Sequence, residues 1–295
     1  MLEAFTCVRK LILFTASCSG STTISTQAEA TALAGCQKFS GSITIDKKTK
    51  EDIALDGIGQ ITGSLMAKNV KKMTSLSADS LTSIGKNFEL EVVSALTSLN
   101  FPSLTSVDSI LWEGLPSLSG LSFTQSVSKA KNVQIVNTNL ASLEGINLME
   151  VGTLYLADNL FLEEVNMDLK SVSGQLQLAT NGQNLKVTFP NLDTAYNMTY
   201  RNVSSLSIPS LKTVKSNFGL YSNFFQSLTA PNLTTIGGGL AIVSNAKLNK
   251  IDFPKFTTLG SGLQIANNTK LKEIDGFEAL KTIEGNVDMF GAFKK

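Results

Sequence analysis

Apolar and polar residues alternate in short bursts along this chain, and the bursts return every 22 residues or so. A phrase of the form small-x-Leu-x-Ile stands at Gly41 to Ile45, Gly152 to Leu156, Gly174 to Leu178, Gly238 to Ile242 and Ser261 to Ile265. Within each phrase the period is two, which predicts a strand buried on one face only. Looser copies bring the phrases to twelve, starting at Gly41, Gly63, Lys86, Asp108, Lys131, Gly152, Gly174, Tyr196, Ser216, Gly238, Ser261 and Gly285, with spacings of 20 to 24 residues. Self-similarity at such a period predicts a solenoid.

The residues between phrases predict how each coil turns. An asparagine follows several strands and leads into a Leu-x-x-Val/Ile step, as from Asn159 to Val165, Asn245 to Ile251 and Asn268 to Ile274. An amide both donates and accepts, so stacked asparagines can satisfy the backbone groups that a tight corner leaves unpaired. A second step places proline after an apolar residue, at Pro102, Pro190, Pro209, Pro231 and Pro254, with Pro116 out of phase. Proline lacks an N–H to donate and suits a corner better than a ladder.

No single coil of this kind can bury its own apolar residues, but a stack of them can. The expected fold is therefore mainly β: a right-handed parallel β-helix, or leucine-rich-repeat-like solenoid, of about twelve 22-residue repeats over residues 41–295. With strands about 4.8 Å apart, eleven steps give a body roughly 53 Å long.

Residues 18–40 are expected to cap the first coil. Thr26 and Glu29 have capping-box spacing ahead of an alanine-rich run, which predicts a short helix from about Thr26 to Gly35 with Ala28, Ala32 and Leu33 inward. Cys18 and Cys36 bracket it, either as two separate buried thiols or, as expected here, as a disulfide worth about 3 kcal/mol for a loop of this size. Residues 1–17 run basic (Arg9, Lys10), apolar (Leu11 to Phe14) and small (Thr15 to Ser17), the order of a secretory signal peptide. Its removal would take Cys7 and leave an even pair.

The 295 residues include no histidine, which removes the commonest general base and most zinc sites. The three cysteines lack metal-ligand spacing. No catalytic residue, cofactor or metal is expected. The net charge of +1 and the lack of a long basic stripe argue against nucleic acid. Lys47-Lys48 and Lys71-Lys72 read as solvated corners, and Gly237 to Gly239 precedes a strand where a phosphate loop would precede a helix. No apolar run reaches the roughly 18 residues of a membrane span.

Function is then confined to the outward strand positions. The strand centres, three residues after each start, are Thr44, Met66, Glu89, Leu111, Gln134, Tyr155, Gln177, Thr199, Gly219, Ala241, Gln264 and Asp288. No two adjacent centres are acidic, so the acid pair of a polysaccharide-cleaving coil is missing there. Gln134, Tyr155, Gln177 and Thr199 fall on four successive coils and form the candidate ligand face, since amides and hydroxyls bind polar ligands without a charge to desolvate. The same residues would also suit an ordinary soluble sheet surface. Asn197, Asn202, Asn232 and Asn267 each begin an N-x-Ser/Thr glycosylation site.

The bracket of Cys18 and Cys36 around Gln27 to Ala30, the opening at Gly41 to Ile45, and phrases ending at Asn223, Asn245 and Asn268 together resemble one known group. They are similar to the fungal GPI-anchored cell-wall organisation proteins of the extracellular-mutant and sporulation-specific type, whose repeats are of the receptor L-domain kind. The resemblance implies an extracellular, N-glycosylated, non-enzymatic monomer that serves vegetative-wall or spore-wall architecture, with wall polysaccharide or wall proteins as partners. The alternative is a receptor-like ectodomain that captures a peptide or polysaccharide. The family pattern also places a second cysteine-bearing cap, a Ser/Thr-rich stalk and a hydrophobic tail after the repeats. Residues up to Lys295 hold none of these, so membrane attachment is expected only through a lipid anchor not encoded in this chain.

Overall fold

The computed structural model describes residues 17–294, and apart from Ser17 the expected signal segment lies outside them. Thirteen strands, from Thr22–Ile24 to Val287–Phe290, stack in parallel as successive rungs of one sheet. The molecule is a mainly-β solenoid. Twelve of the rungs are the twelve sequence phrases. The extra one, Thr22–Ile24, pairs with Ile43–Ile45 inside the stretch expected to be only cap. Its single buried residue, Ile24, gave the sequence too little alternation to betray it.

Each coil has further sides. Short strands such as Ile53–Ala54, Ser75–Ser77 and Ser98–Asn100 form one parallel patch, and Glu164–Asn166, Lys186–Thr188 and Ser205–Ser207 form another. A third set, including Thr213–Val214, Thr235–Ile236 and Thr258–Leu259, leads back towards the main sheet. Leucine, isoleucine, valine and phenylalanine from all sides meet in one continuous core running from Ile24 to Leu271.

The corners follow the sequence. At five of the prolines the carbonyl before the proline accepts from the N–H three residues on, as from Leu192 to Phe189 and from Leu233 to Ala230, with proline at the second turn position. Pro116 makes the same turn at the opposite corner, where Leu118 donates to Leu115. At the end of the main strand ten of the thirteen rungs place one residue in the left-handed region: Asn69, Val92, Gly114, Asn137, Asp158, Thr180, Asn202, Ser222, Ser244 and Asn267, with φ between 53° and 69°. The buried asparagines come immediately after. Asn223 Nδ2 donates to Asn245 Oδ1 at 3.0 Å, and Asn245 Nδ2 to Asn268 Oδ1 at 3.1 Å, while Nδ2 of each also reaches a strand carbonyl of the coil before its own. Asn159 and Asn181 form a second stack joined to Thr138, and Val203 interrupts the series between the two.

At the N-terminal end the helix is shorter than expected, Gln27–Thr31, with the Thr26/Glu29 capping box formed. From Ala30 onward the chain tightens into three-residue turns that carry Leu33 and Cys36 into the core. The buried face is consequently Ala30 and Leu33, while Ala28 and Ala32 are exposed. The Gln27 amide accepts from Ala54 N at 2.7 Å and donates to Ala54 O at 3.0 Å, which closes the free edge of Ile53–Ala54. Cys18 and Cys36 are joined in a disulfide. On the last rung, Val287, Met289 and Phe290 are exposed.

Candidate ligand face

The parallel pairing is in register at the strand centres, so all twelve outward residues form one unbroken column from Thr44 to Asp288. Gln134, Tyr155, Gln177 and Thr199 are therefore direct neighbours on successive rungs. All four are half-buried. Gln175, on the same face, donates to Gln177 Oε1 and fixes that amide.

Beyond Thr199 the face sinks. The next two centres are Gly219 and Ala241, and with so little side chain there the sheet surface becomes the floor of an open depression of about 460 Å³. Asn217 and Tyr221 stand beside it, and Gln264 and Asp288 close its far end, where Gln264 Nε2 donates to Asp288 Oδ2 at 3.2 Å. Tyr221 folds back over Gly219. A Cβ at position 219 would stand 2.5 Å from the tyrosine Cε2, so glycine is what lets the ring lie there. Arg201 stacks on the same ring, with its Cζ 4.3 Å from the ring centre. Asn217 Oδ1 accepts from Gly239 N at 2.8 Å and is fixed in turn.

Of the four expected face residues, only Thr199 also lines the depression; Gln134, Tyr155 and Gln177 form the raised approach to it. Gln264 and Asp288 were read from the sequence only as outward strand centres, and Asn217 and Tyr221 were not singled out at all. The signal that marks them is the pair of small residues, Gly219 and Ala241, in a column otherwise carrying larger groups.

A second concavity of about 960 Å³ lies where the main strands begin. Val107, Ala130 and Val151 lie in its floor, Met149 is 47% exposed at its edge, and Asp108, Lys129, Lys131, Glu150 and Lys170 surround it. Lys131 Nζ is 2.8 Å from Asp108 Oδ1, and that contact raises the lysine pKa.

The carboxylates do not assemble into a site. Glu89 is bound by Lys68 at 2.7 Å, with Glu91 at 3.2 Å on the same ammonium, and these contacts raise the Lys68 pKa. One acid pair does lie on adjacent rungs, Glu91 beside Glu113, two residues past the strand centres. It lines none of the concavities. Among the described residues no group of three or more histidine, cysteine or acidic side chains could hold a metal.

The N-x-Ser/Thr asparagines differ in placement. Asn267 is exposed at a left-handed corner, and Asn202 occupies the same kind of corner, half-buried. Asn232 donates to Pro209 O and accepts from Lys255 Nζ. Asn197 lies within the strand Thr194–Arg201, in register with Gln175, so its side chain shares the ligand face with Thr199.

No protein-family model matches the chain. No solved structure matches it either. Among curated proteins, a cell surface GPI-anchored protein of Arthroderma benhamiae is 44% identical over 284 residues, covering 96% of this chain and 73% of that protein. Protein ecm33 of Aspergillus fumigatus is 40% identical, covering 78% of this chain and 58% of its own length. Sporulation-specific protein 2 of Saccharomyces cerevisiae is 35% identical, with 89% and 52% covered. The chain thus spans between about half and three quarters of the length of these relatives. It belongs to the fungal family of GPI-anchored cell-surface proteins that includes ecm33 and the sporulation-specific proteins.

Proposed function

We propose that this chain is a non-catalytic module of the fungal cell wall or spore wall, and that it holds a neutral wall polysaccharide along its main sheet. The observation that carries this reading is the in-register column of uncharged polar groups that leads into a glycine-floored depression beside Tyr221. A sugar ring presents hydroxyls at its edge and C–H groups on its face. Gln134, Gln177, Thr199 and Asn217 supply partners for the first, and the Tyr155 and Tyr221 rings for the second. A rung every 4.8 Å or so gives an extended polymer a repeated set of contacts along the solenoid axis. The names of the relatives, which include cell wall mannoprotein PST1 and cell wall protein ecm33, support a wall location. N-glycosylation at Asn202 and Asn267 fits their corner positions, and a glycan on Asn197 would stand on the ligand face itself.

Retention of the purified chain on insoluble wall glucan and on chitin tests the reading. Tyr221→Ala should weaken retention roughly fivefold, the equivalent of about 1 kcal/mol for one aromatic contact. Hydrolysis of a wall polymer that Glu89→Gln abolishes would refute the non-catalytic reading. A second reading, capture of a peptide, draws on the larger concavity, whose exposed Met149 and mixed charges suit a peptide better than a sugar. Failure to bind any wall polymer, with tight binding of a secreted peptide lost in Met149→Ser, would favour it.

A further inference from the structure

The outward column carries a second periodicity, laid over that of the coils. From Gln134 to Gln264 it crosses seven consecutive rungs in register: Gln134, Tyr155, Gln177, Thr199, Gly219, Ala241 and Gln264. Amides stand on every second rung, at Gln134, Gln177 and Gln264, with one gap at Gly219. Tyr221 fills the gap. Its ring folds back so far that a Cβ at position 219 would lie 3.1 Å from the tyrosine hydroxyl oxygen, and Gly219 is buried although it belongs to the outward face. Arg201, stacked on the ring, holds it there.

The rungs between carry no amide. Tyr155, Thr199 and Ala241 each offer carbon surface there, one as a ring and two as a methyl group. Hydrogen-bonding groups thus recur at an interval of two rungs, roughly 10 Å. The amides are only partly used within the protein. Gln177 Oε1 accepts from Gln175 and Gln264 Nε2 donates to Asp288, so that among the described residues Gln177 Nε2 and Gln264 Oε1 remain without a partner. A polysaccharide meets such an interval through its linkage. Joining pyranoses across opposite ring positions, as in a β-1,4 linkage, gives a nearly straight chain in which each sugar advances by about one rung spacing, roughly 5 Å, and turns over relative to the last. The same edge then returns every second sugar. A β-1,3 linkage joins positions closer together round the ring, so the chain winds into a helix and offers no straight face with a two-sugar repeat.

We propose that the sheet face selects an extended β-1,4-linked chain over a β-1,3-linked one, with Gln134, Gln177, Tyr221 and Gln264 setting the register. The selection rests on the sheet being a polysaccharide surface, as proposed above, and narrows its ligand to one linkage class. Hydroxyl or acetamido edges would meet the amides and the Tyr221 hydroxyl, while C–H faces would lie over Tyr155, Thr199 and Ala241. One sugar is slightly longer than one rung spacing, so the mismatch accumulates and confines the match to a run about as long as this column.

Calorimetric titration of the intact chain with chitohexaose, cellohexaose and laminarihexaose tests the proposal. At least one of the two β-1,4-linked hexamers should bind about tenfold or more tighter than the β-1,3-linked one. In that series affinity should climb from the dimer to the hexamer, whereas filling of the depression alone would level off sooner. Gln177→Leu and Tyr221→Phe should each weaken the preferred hexamer roughly threefold to tenfold, the worth of one hydrogen bond, with the thermal midpoint unchanged. Equal or tighter binding of laminarihexaose, or hexamer binding untouched by both variants, would overturn the β-1,4 assignment while leaving the sheet a polysaccharide binder. No binding of any hexamer, together with no retention on insoluble wall polymer, would overturn both.

Discussion

The asparagine stack gives the sharpest test of what holds the coils together. Asn245 is fully buried, its Oδ1 accepts from Asn223 N at 2.9 Å and from Asn223 Nδ2 at 3.0 Å, and its Nδ2 donates to Leu220 O at 3.0 Å and to Asn268 Oδ1 at 3.1 Å. Asn245→Val removes all four bonds and copies the residue the chain itself places at Val203, so the corner is known to admit the shape. What remains is a buried Asn223 N–H with no acceptor and a Leu220 carbonyl short of a donor. One orphaned amide costs about 1–3 kcal/mol and each further lost bond about 0.5–1.5 kcal/mol, partly offset by the extra apolar burial, for a net loss of about 2–4 kcal/mol. Coils touch only their neighbours, so the loss should be felt first between residues 218 and 290. Urea unfolding followed by circular dichroism should then split into two transitions, with amide exchange accelerated in the C-terminal rungs and unchanged near Phe88. A loss below about 1 kcal/mol, or a single transition with uniform exchange, would refute the idea that the amide stack carries this corner.

Two further substitutions probe local costs. Val92 holds φ at 53° and is 39% exposed, and a β-branched residue is poorly suited to that region, so Val92→Asn should stabilise the chain by about 1 kcal/mol, measured by thermal or urea unfolding. Tyr200 is fully buried with its hydroxyl unpartnered, and burial pushes its pKa up, so the folded state favours the neutral phenol. Its contribution is complete below the unfolded pKa of about 10 and is lost as pH rises beyond it, because only the unfolded chain ionises there. Tyr200→Phe should therefore match or exceed the parent stability at neutral pH, by up to about 1–3 kcal/mol, and flatten the alkaline decline; a marked loss at neutral pH would show that the hydroxyl has a partner.

Much of the architecture was legible because a stacked coil repeats its physical problem every 22 residues or so. Ile43, Leu65, Phe88 and Ile110 face the core for the same reason, and the asparagine and proline corners recur with them. What stayed hidden depends on relations that one linear phrase does not carry. The left-handed corner is filled by Asn69, Val92, Asp158, Thr180 and Ser222 in turn, with glycine at that place only at Gly114, so no residue type flags it. The inward face of the capping helix is set by where Leu33 and Cys36 must reach, which moved burial from Ala28 and Ala32 to Ala30. The candidate depression arises from side chains that are missing on two adjacent rungs, and it becomes visible only once Gly219 and Ala241 are known to be neighbours.

That last point bears on how such a fold acquires a binding surface. The core fixes every second strand residue, and the corners fix the residues that turn the chain, so the outward columns are the positions left free to vary. Register then converts spacing along the sequence into adjacency in space: Thr199, Gly219, Ala241 and Gln264 span some 65 residues of chain yet follow one another as consecutive rungs. Shortening two of them opens a hollow without disturbing the layer beneath, where Phe218, Leu220, Leu240 and Ile242 remain fully packed.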